Sequence, residues 1–156
     1  AEATPAAPAR GALAQVESDA DLDCRDLYPK ALWAELVLYP RTLLLQNSSA
    51  PATAVEGVVE AAAPRVRVTC KWRLYEGGVA STTASIVADP AVAVAALQAA
   101  GFECAPAGEV QRCSRVDGET REEHDFGGTV WLATTSTGEL PEGYTDRLVA
   151  GLWSGG

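Results

Sequence analysis

Between Val66 and Tyr75 apolar and polar positions alternate without a break. Val66, Val68, Cys70, Trp72 and Leu74 fall on one side, and Arg67, Thr69, Lys71, Arg73 and Tyr75 on the other. A period of two over this length predicts a half-buried β-strand. Glu76-Gly77-Gly78 follows, and glycine supplies the positive φ of a tight hairpin, so the Ser/Thr/Ala-rich stretch 79–88 is expected to return as the partner strand. Asp89-Pro90 then reads as an N-cap with a first-turn proline; Val92, Ala95, Ala96 and Ala99 share a helical face, and Gly101 ends the helix. A similar order follows: a strand over 110–116, a turn at Asp117-Gly118, a returning strand over 120–126, a bulge or bend at Gly127-Gly128, and continued strand over 129–135. Pro141 opens a last helix with Tyr144, Leu148 and Leu152 at four-residue spacing.

Before the alternating strand the pattern is helical. Asp23 or Tyr28 can cap a short helix with Pro29 at its start, and Leu32, Leu36 and Tyr39 share a face that Pro40 closes. Residues 42–46, with three consecutive Leu, read as a short buried strand, and 47–53 as a loop that includes the glycosylation-like triplet Asn47-Ser48-Ser49. Residues 54–63 form a second helix with Val55, Val58, Val59 and Ala62 on one face. Residues 1–23 show no apolar periodicity before Leu22 and read as a disordered Ala/Pro/acidic tail, leaving 24–156 as a single domain.

These elements make an α+β fold: an antiparallel sheet of four to six strands packed on one face by three or four helices. The order strand–hairpin–strand–helix occurs at 66–100 and again at 110–153, which reads as a ββα duplication. The expected core is Leu36, Val59, Val68, Cys70, Trp72, Ile86, Leu97, Phe102, Val130, Leu132, Leu148 and Leu152.

The chain has 156 residues, enough for one domain that buries roughly two thirds of its unfolded surface. No apolar run is long enough to cross a bilayer as a helix. A net charge of −9 argues against nucleic acid as a partner, since phosphate contacts need clustered Lys and Arg. Much of that charge lies in the tail, where Glu2, Glu17, Asp19, Asp21 and Asp23 face Arg10 alone, so the acidity says little about what the domain binds.

Four cysteines, Cys24, Cys70, Cys104 and Cys113, include no Cys-x-x-Cys pair, and His124 is the only histidine. Two disulfides therefore fit better than a zinc site. Three pairings are open; Cys104–Cys113 as a local bridge and Cys24–Cys70 as a long staple is the expected one. Disulfides persist in oxidising compartments, so an exported protein is expected. The lack of Met, even at position 1, and the Ala/Pro-rich start read as a mature N-terminus left after signal removal. Two Lys against ten Arg, with abundant Ala, fit a GC-rich bacterial source.

The chemistry is sparse. There is no Gly-x-Ser-x-Gly elbow, no phosphate-binding glycine loop and no calcium loop, so no metal and no cofactor is expected. One local set stands out: Glu119, Arg121, Glu122, Glu123, His124 and Asp125. On a strand, Glu122 and His124 share one face, and Glu123 and Asp125 the other. The set reads either as an acid–base pair, with His124 and Glu122 as catalytic candidates, or as a charged hairpin that keeps a sheet edge from aggregating. A second feature is the basic stripe Arg67, Lys71 and Arg73, with Arg65 nearby, which suits an acidic ligand or a solvated sheet face. Trp131 alternates with Val130 and Leu132, so an outward Trp131 with Tyr75 would extend that stripe into a binding face.

The Ala/Pro tail, Cys24-Arg25-Asp26-Leu27, Val68-Thr69-Cys70-Lys71-Trp72 and Ala100-Gly101-Phe102-Glu103-Cys104 together resemble small exported or lipid-anchored actinobacterial domains of unknown function, over residues 24–113. The lipobox cysteine of the anchored members is absent, and the resemblance implies no catalytic residues. The expectation is an extracytoplasmic, non-catalytic module that binds a protein or envelope component through Arg67, Lys71, Arg73, Tyr75 and Trp131. The alternatives are a secreted hydrolase centred on His124 and Glu122, and a secreted protease inhibitor presenting the Cys104–Cys113 loop.

Overall fold

Arg65–Arg73 forms the strand expected from the alternation, with a bulge between Val66 and Val68 that puts these two residues on opposite faces, and that strand organises one half of a seven-stranded antiparallel sheet. The computed structural model describes residues 12–38, 42–74 and 77–154; the side chains of 42–44 and 56 lie outside the described set. In chain order the strands are β1 (Thr42–Asn47), β2 (Arg65–Arg73), β3 (Val79–Ile86), β4 (Glu103–Ala107), β5 (Val110–Asp117), β6 (Thr120–Gly127) and β7 (Val130–Ser136). The helices are α1 (Leu13–Glu17), α2 (Cys24–Leu27), α3 (Lys30–Leu38), α4 (Glu56–Ala62), α5 (Pro90–Ala99) and α6 (Tyr144–Val149), the last running into a π-helical turn, Ala150–Ser154. The sheet order is β1-β2-β3-β7-β6-β5-β4.

The α+β class and the antiparallel sheet are as expected, but the sheet has seven strands rather than four to six. The additional strand is β4, whose sequence Glu-Cys-Ala-Pro-Ala has a proline and little apolar alternation. Pro106 is tolerated because β4 lies at the sheet edge. Gly127-Gly128 is not a bulge in a continuing strand but part of a reversal that pairs Gly127 with Val130. Gly128 sits at φ +59°, and a Cβ on Gly127 would lie 2.5 Å from the Trp153 ring, so both positions require glycine.

The helices cover both faces rather than one. Leu13 and Val16 of α1, Leu27 of α2, Leu32 and Leu36 of α3, and Tyr144 and Leu148 of α6 pack with Val68, Trp72, Ala84, Val130 and Leu132. On the opposite face, Val58 and Ala62 of α4 and Ala93 and Leu97 of α5 pack with Phe126, Trp131 and Ala133. The molecule is therefore helix–sheet–helix in three layers. This arrangement also overturns the duplication. Antiparallel β3 and β7 can be exchanged only by a two-fold axis normal to the sheet, which keeps each face; α5 and α6 lie on opposite faces. Of the expected core, Val59 and Ile86 are only half-buried, and the rest is buried.

The N-terminal stretch is also corrected. Residues 1–11 lie outside the described set, but 12–23 pack on the sheet through Leu13, Val16 and Leu22. Arg67 fastens this segment: its Nε donates to the Val16 carbonyl at 2.8 Å, and Nη2 donates to the Gln15 and Ala20 carbonyls. Tyr39 and Pro40 lie outside the described residues.

Both disulfides join the expected partners. Cys24–Cys70 ties α2 to β2 across a separation of 46 residues, and Cys104–Cys113 joins directly opposed positions of β4 and β5 across 9. In the chain-entropy description the long bridge contributes about 4 kcal/mol and the short one about 2.5 kcal/mol. Paired Cys→Ser substitutions measured by denaturant unfolding are therefore expected to cost more at Cys24/Cys70 than at Cys104/Cys113. The reverse order would show that native packing, not loop closure, sets the value of each bridge.

Candidate functional site

β6 runs between β5 and β7, so the charged segment expected at a sheet edge is interior. Its alternation is as read: Glu122 and His124 point to the α4/α5 face, and Glu123 and Asp125 to the α3/α6 face. All four are buried, with exposures of 3 % for Glu122, 8 % for Glu123, 0 % for His124 and 1 % for Asp125. A buried charge or polar group is costly unless its hydrogen bonds are met, and the two faces meet this demand differently.

On the α4/α5 face the bonds form a closed chain. The Trp131 indole N–H, which can only donate, lies 3.1 Å from His124 Nδ1. Nδ1 is then the acceptor, and the ring proton sits on Nε2, 2.9 Å from Glu122 Oε1. The Thr53 hydroxyl donates to Glu122 Oε1 at 2.6 Å, and the Ala54 N–H to Oε2 at 2.7 Å. Burial alone would raise the Glu122 carboxyl, but the donors from His124, Thr53 and Ala54 outweigh it and hold it below the ordinary carboxylate range. Glu122 thus clips the 48–55 loop onto the sheet. A hollow of about 110 Å³ beside Glu122 is lined by Ala54, Arg115, Asp117 and Thr120, not by His124. With both ring nitrogens engaged and the ring fully buried, His124 has no site at which to accept a substrate proton.

On the other face three carboxylates converge on one guanidinium. Arg112 Nε donates to Asp125 Oδ1 at 2.7 Å, and Nη1 donates to Asp146 Oδ1 at 2.7 Å. Glu123 Oε2 lies 3.3 Å from Arg112 Nε, whose single N–H is already engaged by Asp125, and receives no hydrogen bond among the described residues. Burial works against the Arg112 charge, but Asp125, Asp146 and Glu123 outweigh it and hold the guanidinium above its ordinary range. For Asp125 burial dominates: it is pushed up to about 7, with Glu123 and Asp146 adding to the rise and Arg112 opposing it.

This face opens into a cleft of about 550 Å³ between β5–β7 and the segment that leads into α6. Five carboxylates line it, at Glu119, Glu123, Glu139, Glu142 and Asp146, against the guanidinium groups of Arg112 and Arg121. Its floor includes Thr134 and Tyr144, both members of a buried relay. The Trp72 indole donates to the Tyr28 hydroxyl at 2.8 Å, Tyr28 bonds Tyr144, and Tyr144 bonds Thr82, which bonds Thr134. Burial raises the Tyr28 and Tyr144 phenols, so both stay protonated as donors.

The expected binding stripe is dispersed. Trp131 is fully buried rather than outward, because α4 and α5 cover the face it occupies. Arg67 is engaged by three carbonyls, and Tyr75 lies outside the described residues. Arg73 is exposed, and Lys71 borders a groove of about 360 Å³ with Leu45, Thr69, Ser81 and Thr135. Sequence reasoning missed the roles of Arg112, Asp146 and Tyr144; only their proximity in the fold joins them.

No family model matches the chain, and no curated protein matches it. Among solved structures, the crystal structure of a GTP binding regulator from Thermotoga maritima aligns over 82 % of this chain and 92 % of its own, at 6 % identity and a TM-score of 0.46. A likeness at that level assigns no function to this chain.

Two expectations follow from this geometry. Glu122→Gln leaves fewer acceptors for the Thr53, Ala54 and His124 donors, and a buried unmet donor costs about 1–3 kcal/mol; urea unfolding of the variant checks this, and an unchanged midpoint contradicts it. Asp125 gives a pH signature. Its folded value near 7 lies above the ordinary 3.8, so the native state holds a proton that the unfolded state releases. Its contribution is complete below about pH 4 and is lost as pH rises through about 7. The Tm of Asp125→Asn relative to the parent chain should therefore rise across that window, and a flat difference curve would contradict the buried proton.

Proposed function

We propose that this protein is an extracytoplasmic, non-catalytic binding module that recognises a protein or envelope component through the Glu123/Tyr144 cleft. The observation that carries the reading is the division of labour on β6. Its only histidine is sealed within saturated hydrogen bonds, while its opposite face opens into a cleft lined by carboxylates and hydroxyls. Two disulfides support an oxidising compartment. Among the described residues no helix is long and apolar enough to cross a membrane. The resemblance to small exported actinobacterial domains agrees with this location. The cleft replaces the basic stripe as the candidate surface, since Trp131 and Arg67 are engaged inside the fold. The Cys104–Cys113 hairpin is closed by a tight reversal at Gly108-Glu109, not by the extended loop an inhibitor would offer a protease.

The test uses the full chain with both disulfides intact, against a reduced control. Capture from an envelope extract should retain a partner only on the oxidised protein, with cross-links mapping to Glu139, Glu142 or Asp146. Panels of ester, glycoside and peptide substrates should show no turnover, and trypsin and subtilisin no stoichiometric inhibition. Turnover abolished by His124→Gln would overturn the reading in favour of an enzyme.

A further inference from the structure

We propose that Arg112 and Asp125 form a proton-controlled latch on the Glu123 side chain: the single Arg112 Nε–H is held by ionised Asp125 and passes to Glu123 when Asp125 takes up a proton. The exchange itself needs no ligand; that it controls recognition in the cleft rests on the binding-module reading.

The geometry is one donor between two acceptors. Arg112 Nε donates to Asp125 Oδ1 at 2.7 Å, and Glu123 Oε2 lies 3.3 Å from the same nitrogen, buried and without a hydrogen bond among the described residues. Nε carries one proton, so the two carboxyl groups compete for it. The guanidinium is anchored elsewhere, through Nη1 at 2.7 Å from Asp146 Oδ1, so a small turn about that bond is enough to redirect Nε–H. An ionised acceptor makes the stronger bond and a neutral carboxyl the weaker one. While Asp125 is ionised it therefore keeps Nε–H. Once Asp125 is protonated, the bond to Glu123 is the stronger of the two, and it also meets the demand of the buried Oε2.

Position decides which side chain moves. Asp125 is almost fully buried opposite Leu132 of β7, whereas Glu123 borders the cleft. When Asp125 is ionised, two like charges meet at one buried N–H, and Glu123 is the one with space to turn away. The charged groups that face Asp125 are Arg112 from β5, Glu123 beside it on β6, and Asp146 from α6. Leu132 of β7 brings no charge, and Glu35 of α3 is paired with Arg147 of α6. Farther out the cleft holds Glu119, Arg121, Glu139 and Glu142, with the protonated Tyr144 phenol in its floor. Burial pushes Asp125 up to about 7, which sets the exchange in the neutral range. Below that pH Glu123 is drawn back to Arg112; above it, Glu123 turns to the cleft and adds its charge to the acidic rim.

The full chain, labelled with ¹³C and ¹⁵N and with both disulfides intact, is titrated by NMR from about pH 5 to about pH 9. One shared midpoint near 7 is expected for Asp125 Cγ, the Arg112 Nε–H resonance and Glu123 Cδ. Asp125→Asn supplies a permanently neutral acceptor and should abolish the step at Arg112 and Glu123. Asp146→Asn removes an exposed charge that helps to hold the proton on Asp125, so it should move the shared midpoint to lower pH; it serves if Asp125→Asn does not fold. A cationic and an anionic paramagnetic probe read the charge of the cleft: the ratio of cation to anion broadening at the Thr134 and Ser136 amides should rise about twofold or more across the step. An Asp125 step that leaves Arg112 and Glu123 unmoved, a Glu123 step that survives in Asp125→Asn, or no Asp125 step in this range overturns the latch. Failure to capture a partner from the envelope extract overturns the module reading alone, because the latch is read without a ligand.

Discussion

Four consecutive ionisable residues, Glu122 to Asp125, are buried in an interior strand, and much of the molecule is arranged to make that tolerable. An unpaired charge in such a place would be lost to protonation or would unfold the domain. Strand alternation divides the problem in two. On one face Trp131, His124, Glu122, Thr53 and Ala54 form a chain in which each donor meets an acceptor, and this fixes the 48–55 loop. On the other face Arg112 reaches from β5 to Asp125 and on to Asp146 at the start of α6, so the same charge fastens a helix. Glu123 lies 3.3 Å from the same guanidinium without a hydrogen bond to it, and it lines the cleft.

The two faces therefore differ in kind. The His124 side is sealed and structural. The Glu123 side is open, acidic and backed by the hydroxyl relay from Trp72 through Tyr28, Tyr144 and Thr82 to Thr134. That relay links Tyr28 at the end of α2, α6 and three strands of the sheet, so the floor of the cleft is tied to the core by hydrogen bonds. A rigid floor suits recognition, because little ordering is required when a ligand arrives.

Much of this was legible in local pattern. The alternation of 66–74 placed β2, Asp89-Pro90 and Gly101 bounded α5, and the cysteine spacing matched both bridges. The division of Glu122/His124 from Glu123/Asp125 also followed from period two. What alternation cannot tell is whether a face is covered. Trp131 was correctly placed opposite Val130 and Leu132, yet α4 and α5, far away in the chain, bury it. Alternation assigns Arg67 to the polar side of β2, but a bulge between Val66 and Val68 breaks the register there, and only the fold brings the carbonyls of 15, 16 and 20 to it. β4 was hidden because Pro106 and Cys104 give no strand pattern; its place is set by pairing with β5. The convergence of Arg112 with Asp146 spans 34 residues and leaves no local signal.

The His124 side of β6 is satisfied internally, with His124 held as a donor to Glu122 rather than as a free base. Long-range ¹H–¹⁵N correlation of the His124 ring tests it directly. The account predicts a proton on Nε2, slow to exchange with solvent, and an unprotonated Nδ1. A proton on Nδ1, or a ring that exchanges freely with solvent, would contradict it.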